Sequence, residues 1–138
     1  MLKHLTHVNQ WVTDQDQALS FYTEKLGLEL RMDATVPEMG NFRWLSVGPA
    51  GQPDVAVTLL KVPGPPVFDE QTAAAVNDIV AKGAAGGLFF DTDDIEAMHA
   101  ELKGKGVDIV QEPTQQPYGV DMAIRDPFGN QIRIAQQG

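Results

Sequence analysis

The sequence contains no cysteine, no long apolar run and few basic residues, and each shortage excludes a class of function. Without cysteine, the chain forms no disulfide, no thiolate metal site and no cysteine nucleophile. With 10 lysines and arginines against 19 acidic residues, the net charge of −9 argues against electrostatic capture of nucleic acid or of an anionic membrane. No segment reaches the about 20 apolar residues of a membrane-spanning helix, and no secretory leader is recognised. A soluble cytoplasmic protein is therefore expected. The acidic balance suits a cationic or polar small-molecule partner, or serves solubility alone.

The order of predicted elements repeats along the chain. In the first half, an alternating run at residues 4–12 predicts a strand, Asp14 begins a helix that Gly27 ends, and three strands follow. In the second half, a short strand precedes a helix that begins at Asp94 and ends at Gly106, and three more strands follow. Each half alone is a sheet with one helix and one bare face. Pairing the halves around a shared concavity is therefore the economical arrangement.

These patterns predict an α+β fold of two tandem βαβββ modules that form a curved, mostly antiparallel sheet around a cavity. The first module covers residues 1–66 and the second covers residues 85–138. Residues 67–84 are predicted to be a linker with a short helix that begins at Asp69. This helix is interpreted as a spacer between the modules, with a cover over the cavity as the alternative. The whole chain is expected to be one structural domain.

The last part of the chain, YGVDMAIRDPFGNQIRIAQ, predicts a hairpin. Two alternating runs flank DPFGN, in which proline and glycine set the turn and Asn130 is expected to tolerate unusual backbone angles. On the second run, alternation sends Arg133 to the face opposite Ile132 and Ile134. An arginine is therefore expected on the face of the sheet that looks into the cavity.

Several motifs point to one family. They are HVNQWVTDQDQALSFYTEKLGLEL in the first half, and DTDDIEAMHAELKGKGVDI, EP, PYG and RDPFGNQIRI in the second. With these motifs the chain resembles the vicinal oxygen chelate superfamily, the group of glyoxalases, bleomycin-resistance proteins and extradiol dioxygenases. The resemblance covers nearly the whole chain and is specific for the fold. It is not specific for function, because the superfamily includes isomerases, dioxygenases, epoxide-opening transferases and binding proteins without catalysis.

The resemblance also implies where a metal site would lie. Metal-dependent relatives bind a divalent ion through histidine, glutamine or glutamate at four positions on the first and last strands of the modules. His7 fits the first position, whereas the second falls on Gly87, or on Gly86 after a shift by one residue, and glycine has no donor side chain. The third falls on the strand that contains Thr58, and the fourth on Arg133, whose permanent positive charge repels a metal ion. The usual metal site is therefore predicted to be absent, and no cofactor is expected.

The cavity face instead carries side chains suited to an organic ligand. Alternation from His7 places Asn9 and Trp11 on the same face, and the same count in the second half places Phe89 and Asp91 inward. Arginine offers a bidentate fork and indole a stacking face, so the cavity suits a flat or carboxylate-bearing ligand. The candidate ligand-binding residues are His7, Asn9, Trp11, Trp44, Phe89, Asp121, Arg125 and Arg133.

Several of these residues have a structural interpretation as well. Trp11 and Phe89 are equally typical of a core, and His7 without metal partners is equally typical of a satisfied, half-exposed histidine. Arg133 is alternatively one half of an internal ion pair with Asp91 or Asp121.

The sequence favours a homodimer that binds a small aromatic or polar molecule, similar to the drug-sequestering resistance members of the superfamily. A metal-independent isomerase or lyase is the alternative, in which His7 acts as general acid or base and Arg133 stabilises an oxyanion. A metal-dependent lyase or dioxygenase is the second alternative, and a module whose own aromatic side chains fill the cavity is the third. Whether the protein has any turnover stays open.

Overall fold

The computed structural model describes residues 1–137 and divides into two compact units, with the boundary between Ala73 and Ala74. The first unit contains β1 (His7–Val12), α1 (Gln15–Ser20), a π-helical turn (Phe21–Lys25), β2 (Glu29–Val36), a 3₁₀ turn (Pro37–Met39), β3 (Phe42–Gly48) and β4 (Ala56–Lys61). Helix α2 (Glu70–Ala81) crosses the boundary. The second unit continues with β5 (Gly87–Asp91), α3 (Ile95–Gly104), β6 (Asp108–Gln116), β7 (Gly119–Arg125) and β8 (Gln131–Gln137). None of the helices described is long and apolar enough to cross a membrane.

Each unit forms one open four-stranded sheet with the same topology. The strand order is β1-β4-β3-β2 in the first unit and β5-β8-β7-β6 in the second. The first and last strands of each unit pair parallel, and the other neighbours pair antiparallel. The predicted α+β fold of two βαβββ repeats with mostly antiparallel sheets is confirmed, and neither sheet closes into a barrel.

The predicted helix ends are also confirmed. The carboxylate of Asp14 accepts a hydrogen bond of 2.9 Å from the backbone N–H of Gln17, and Asp94 repeats this cap at 3.0 Å in α3. Gly27 and Gly106 follow the helices with φ of 74° and 75°, in the left-handed region that side chains disfavour. The same two local signals thus begin and end the main helix of each unit.

One face of each sheet packs on the main helix of its unit. In the first unit, Gln10 Nε2 donates to the hydroxyl of Tyr22 on the π-helical turn at 3.2 Å, so the even-numbered residues of β1 face α1. In the second unit, Gln136 Oε1 accepts from the backbone N–H of Ile95 in α3 at 2.8 Å, so the even-numbered residues of β8 face α3. The core lies between these faces and the helices, with Val12, Tyr22, Leu45, Val47, Leu59, Leu102, Met122, Ile124 and Ile132 fully buried. We call the opposite faces, which carry odd-numbered residues of β1 and β8, the open faces.

One polar side chain, Gln15, bridges two strands of the first sheet where they separate. Strands β3 and β4 pair only at Ser46–Thr58 and Val47–Val57, and beyond this point the amide of Gln15 donates to the carbonyls of Arg43 and Leu59 at 3.1 and 2.8 Å. These carbonyls would otherwise lack a partner where the strands separate. The first turn of α1 is thereby fixed to the sheet.

The DPFGN turn joins β7 and β8 as predicted, but the role expected of Asn130 is wrong. The left-handed residue is Gly129, with φ of 110°, and an added Cβ there would lie 2.6 Å from the carbonyl oxygens of Val80 and Ala81. Asn130 is needed for its hydrogen bonds. Its backbone N–H and its side-chain amide donate to the carboxylate of Asp126 at 2.8 Å each. The turn therefore depends on an Asp–Asn pair and on close packing against the end of α2.

Candidate functional site

The open face of the first unit contains a small cavity beside two rings. His7 and Trp44 meet edge to face with ring centroids 5.4 Å apart, and a cavity of about 200 Å³ lies against them. Its other lining residues are Thr6, Arg31, Met32, Ser46, Pro53, Asp54 and Ala56. Ligand pockets typically have volumes of about 300–1,000 Å³, so this cavity can hold only one part of a drug-sized molecule.

Arg31 fixes the loop that forms one wall of this cavity. Its Nη2 donates to the carbonyls of Pro49 and Gln52 at 2.5 and 3.0 Å, and its Nη1 donates to the carbonyls of Pro53 and Val55 at 3.3 Å each. Its Nε lies 3.1 Å from a carboxylate oxygen of Glu29. This role of Arg31 could not be predicted from the sequence, because the carbonyls that it binds come together only when the β3–β4 loop folds.

Asn9 and Trp11 lie on the same open face, as alternation predicts. The hydroxyl of Thr58 lies within hydrogen-bond distance of Asn9 Oδ1, at 3.1 Å, and of the Val8 carbonyl, at 3.2 Å. The ring of Trp11 meets Phe68, which precedes α2, edge to face with centroids 5.9 Å apart. The segment before α2 therefore covers part of the indole.

The strand registers show which residues of the two units correspond at the positions where metal-binding relatives have metal ligands. His7 pairs with Ala56, two residues before Thr58, and Gly87 pairs with Gln131, two residues before Arg133. Thr58 and Arg133 therefore occupy corresponding places in the two sheets. The hydroxyl of Thr58 is buried and hydrogen-bonded to protein atoms, and Arg133 is a cation.

The backbone also disfavours a ligand side chain at the second position. A Cβ added to Gly87 would lie 2.7 Å from the carbonyl oxygen of Gln131, which requires the two parallel strands to move apart. Gly86, the alternative position, has φ of 95°, where any side chain is strained. Within residues 1–137, no group of three or more histidine, aspartate or glutamate side chains could hold a metal ion. The residues present do not fit the divalent ion of the metal-dependent relatives.

A hydrogen-bonded network surrounds Arg133 on the open face of the second unit. Its Nε and Nη2 donate to the same oxygen of Asp121 at 3.0 and 2.8 Å, and Nη2 also donates to Gln111 Oε1 at 3.0 Å. Asp121 is only 2% exposed, and it accepts further bonds from the Tyr118 hydroxyl at 2.7 Å and from Gln111 Nε2 at 3.1 Å. Of the two partners that the sequence offered for Arg133, the structure forms the pair with Asp121.

The network keeps Asp121 ionised. Burial alone would raise the pKa of this carboxyl, but hydrogen bonds from Tyr118, Arg133 and Gln111 outweigh burial and hold the pKa below its ordinary value. The bond to Asp121 in turn raises the pKa of the Tyr118 hydroxyl. Arg133 and Asp121 are therefore a charged pair that is neutral as a whole.

The remaining candidates of the second unit lie around this pair. Phe89 on β5 is in register with Arg133 and is 79% exposed, so it is not a core residue of the chain as described. Asp91 is exposed two residues further along β5. Arg125 lies at the far end of β7, and its guanidinium approaches Gly83 after α2. Gln111 and Tyr118, the other partners of Asp121, were not among the candidates, because only the pairing of β6 with β7 reveals their position.

Comparison with known proteins gives a consistent result. The sequence profile of the Glyoxalase/Bleomycin resistance protein/Dioxygenase superfamily matches residues 4–134. The uncharacterized protein YurT of Bacillus subtilis (strain 168) is 35% identical over 127 residues, which cover 92% of this chain and 94% of YurT. The crystal structure of UcmS2 superposes with a TM-score of 0.89 at 43% identity, covering 98% of both chains. TnmS3, an antibiotic binding protein from Streptomyces sp. CB03234, has a TM-score of 0.77 at 29% identity, with 99% of this chain and 98% of TnmS3 covered.

Proposed function

Because the chain belongs to the Glyoxalase/Bleomycin resistance protein/Dioxygenase superfamily, we propose that it binds a small organic molecule without a bound metal ion. The observation that carries this proposal is the state of Arg133. It occupies the position of a metal-binding carboxylate, and its guanidinium is engaged with the buried Asp121. A position built around a cation does not support a divalent metal, but it does support hydrogen bonding to a ligand.

The open faces support an aromatic ligand. Trp44 and His7 border a cavity of about 200 Å³, and Phe89 is 79% exposed. An engineered cavity of about 150 Å³ holds benzene, so the first-unit cavity accommodates a single ring of a larger ligand. The likeness to TnmS3, which is described as an antibiotic binding protein, supports an antibiotic or a molecule of similar character as the ligand.

A homodimer and a cytoplasmic location remain predictions. The 79% exposure of Phe89 supports a second copy or a ligand against the open face. Sedimentation equilibrium of the purified protein tests the dimer, for which twice the chain mass of 15.0 kDa is expected. No observation on the described residues favours the isomerase or lyase alternative: the His7 ring lies within hydrogen-bond distance of the hydroxyl of the adjacent Thr6, at 3.0 Å, and the charge of Arg133 is already compensated by Asp121.

The experiment that tests the function is a thermal-shift screen of chelator-treated protein. The panel contains aromatic antibiotics and other flat molecules, and a parallel series contains zinc, nickel, manganese and iron(II). At a free concentration of about 100 times Kd, a ligand stabilises the native state by about 2.7 kcal/mol, which raises Tm by about 5–10 °C for a chain of this size. We expect this rise with at least one organic molecule in the absence of any metal.

Two variants locate the binding. Trp44→Ala removes one wall of the cavity and should weaken the ligand about tenfold or more. Met39→Ala, which changes a residue that is 64% exposed in the 3₁₀ turn outside the cavity, is the matched control and should leave affinity unchanged. Stoichiometric binding of a metal ion that disappears in His7→Ala, with no organic molecule bound in its absence, would contradict the proposal.

A further inference from the structure

One amino group of the Arg133 guanidinium, Nη1, is not used in the network around Asp121. Its Nε and Nη2 are committed to Asp121 and Gln111, whereas no described residue accepts a hydrogen bond from Nη1. The side chain of Arg133 is 31% exposed on the open face. A charged N–H donor in reach of solvent is therefore available next to the network.

The charge of this donor is already compensated. Asp121 is 2% exposed and lies 2.8 Å from Nη2, so the guanidinium and the carboxylate form a pair without net charge. Asp91 adds an exposed carboxylate to the same face of the neighbouring strand. An anionic ligand would therefore meet a donor but no net positive charge, and it would lose its hydration as well.

An aromatic surface lies beside the donor. Phe89 and Arg133 are register partners on the parallel strands β5 and β8, and both face away from α3. The ring of Phe89 is 79% exposed and has no ring partner among the described residues. A flat group that rests on Phe89 would carry its substituents to the edge of the guanidinium.

We propose that this place on the second unit, formed by Phe89 and Nη1 of Arg133, binds a flat aromatic ligand through a neutral carbonyl oxygen and disfavours the corresponding carboxylate. The inference rests on the proposed function and names the chemical class of its ligand. Asp121 is the residue that sets this selectivity, because it neutralises the guanidinium and holds it in one orientation. The carboxylate-bearing ligand that the sequence suggested fits an unpaired arginine, and Arg133 is paired.

A pair of probes of equal shape tests the selectivity. 2-Naphthamide presents a neutral carbonyl and 2-naphthoate presents a carboxylate on the same ring system, and their affinities are measured by titration calorimetry near neutral pH. We expect the native protein to bind the amide about tenfold more tightly, because both probes can accept the hydrogen bond from Nη1 but only the carboxylate gives up the hydration of a charge without meeting a net positive charge. In Arg133→Lys the ammonium can still pair with Asp121, but no second amino group like Nη1 lies beside the pair, so binding of 2-naphthamide should weaken about tenfold.

The decisive variant is Asp121→Asn. It leaves the guanidinium without a counter-charge, so binding of 2-naphthoate should strengthen about tenfold. Asp93→Asn makes the same charge change at an exposed position and should alter naphthoate affinity by less than about twofold. If Asp121→Asn does not fold, as judged by circular dichroism, the Arg133→Lys comparison decides alone. The proposal is overturned if Arg133→Lys binds 2-naphthamide as tightly as the native protein does, or if Asp121→Asn changes naphthoate binding no more than Asp93→Asn.

The outcomes separate this inference from the function on which it rests. If aromatic molecules bind and Trp44→Ala weakens them while the Arg133 and Phe89→Ala variants do not, the protein is a binder but the place proposed here is wrong. If no organic molecule binds the native protein, the proposed function fails and the inference fails with it.

Discussion

Replacing Asp121 with asparagine should destabilise the second unit by an amount that depends on pH. Asparagine keeps the shape of the side chain but removes the charge that compensates Arg133. The carboxylate accepts four hydrogen bonds, two from Arg133 and one each from Tyr118 and Gln111. Three of them end on the same oxygen, Oδ2, so a single amide oxygen at that place can keep them only in weaker, uncharged form.

The magnitude follows from these bonds. A hydrogen bond between charged partners contributes about 1.5–3 kcal/mol, against about 0.5–1.5 kcal/mol for a neutral one. Two bonds to Arg133 are weakened, and the amide group of asparagine meets the amide of Gln111 donor to donor. Because the Arg133 side chain is 31% exposed, water offsets part of the loss. We expect a loss of about 2–3 kcal/mol at neutral pH.

The pH dependence has a defined sign. The pKa of Asp121 is lowered in the folded protein from its ordinary value of 3.8, so the unfolded chain binds this proton more readily. The stabilisation is therefore complete above about pH 5 and is lost as the pH falls through the folded-state pKa. The difference between the native protein and Asp121→Asn should shrink at about pH 2.5.

Urea unfolding followed by circular dichroism measures this effect. Both tryptophans lie in the first unit, so fluorescence alone would not report on the second. Asp93→Asn at an exposed position is the control, with an expected change within about 0.5 kcal/mol. The reasoning is refuted if Asp121→Asn costs no more than this control at neutral pH, or if its full cost persists at about pH 2.5.

Three further predictions concern the frame of the site. Gly87→Ala should cost about 1–3 kcal/mol in urea unfolding, because its Cβ would lie 2.7 Å from the Gln131 carbonyl, whereas Gly104→Ala, with nothing within 4 Å, should be neutral or stabilising. Equal effects would contradict the close approach. Arg31→Met should speed amide hydrogen exchange in residues 49–55, because the hydrogen bonds from the guanidinium to the carbonyls of this loop are lost. Unchanged exchange would show that the loop keeps its conformation without Arg31. Gln15→Ala should cost about 1–2 kcal/mol in the same urea assay, and a neutral result would mean that water replaces its amide.

Local signals made most of the fold predictable. Asp14 and Asp94 cap helices, Gly27 and Gly106 end them, and alternation on the strands decides which residues face the helices. These features depend on a few neighbouring residues, so the sequence contains them directly. The function of Asn130 was misjudged because its partner, Asp126, is set by the folded turn.

The candidate site was predictable only in its composition. Alternation placed Arg133 on the open face, but the sequence offered both Asp91 and Asp121 as partners. Asp91 on β5 and Asp121 on β7 are both in register with Ala135 of β8, so the strand registers do not distinguish the two carboxylates as partners of Arg133. Burial does, since Asp121 is 2% exposed and Asp91 lies at the surface. The close approach at Gly87 likewise exists only between two folded strands.

The central claim is that the chain binds an organic molecule and needs no metal to do so. The measurement that tests it most directly is a calorimetric titration of chelator-treated protein with the tightest ligand of the thermal-shift screen, repeated with zinc and with manganese added. The account predicts the same stoichiometry, and affinities that agree within about twofold, in all three titrations. Binding that occurs only after a metal ion is added, and that His7→Ala abolishes, would contradict it.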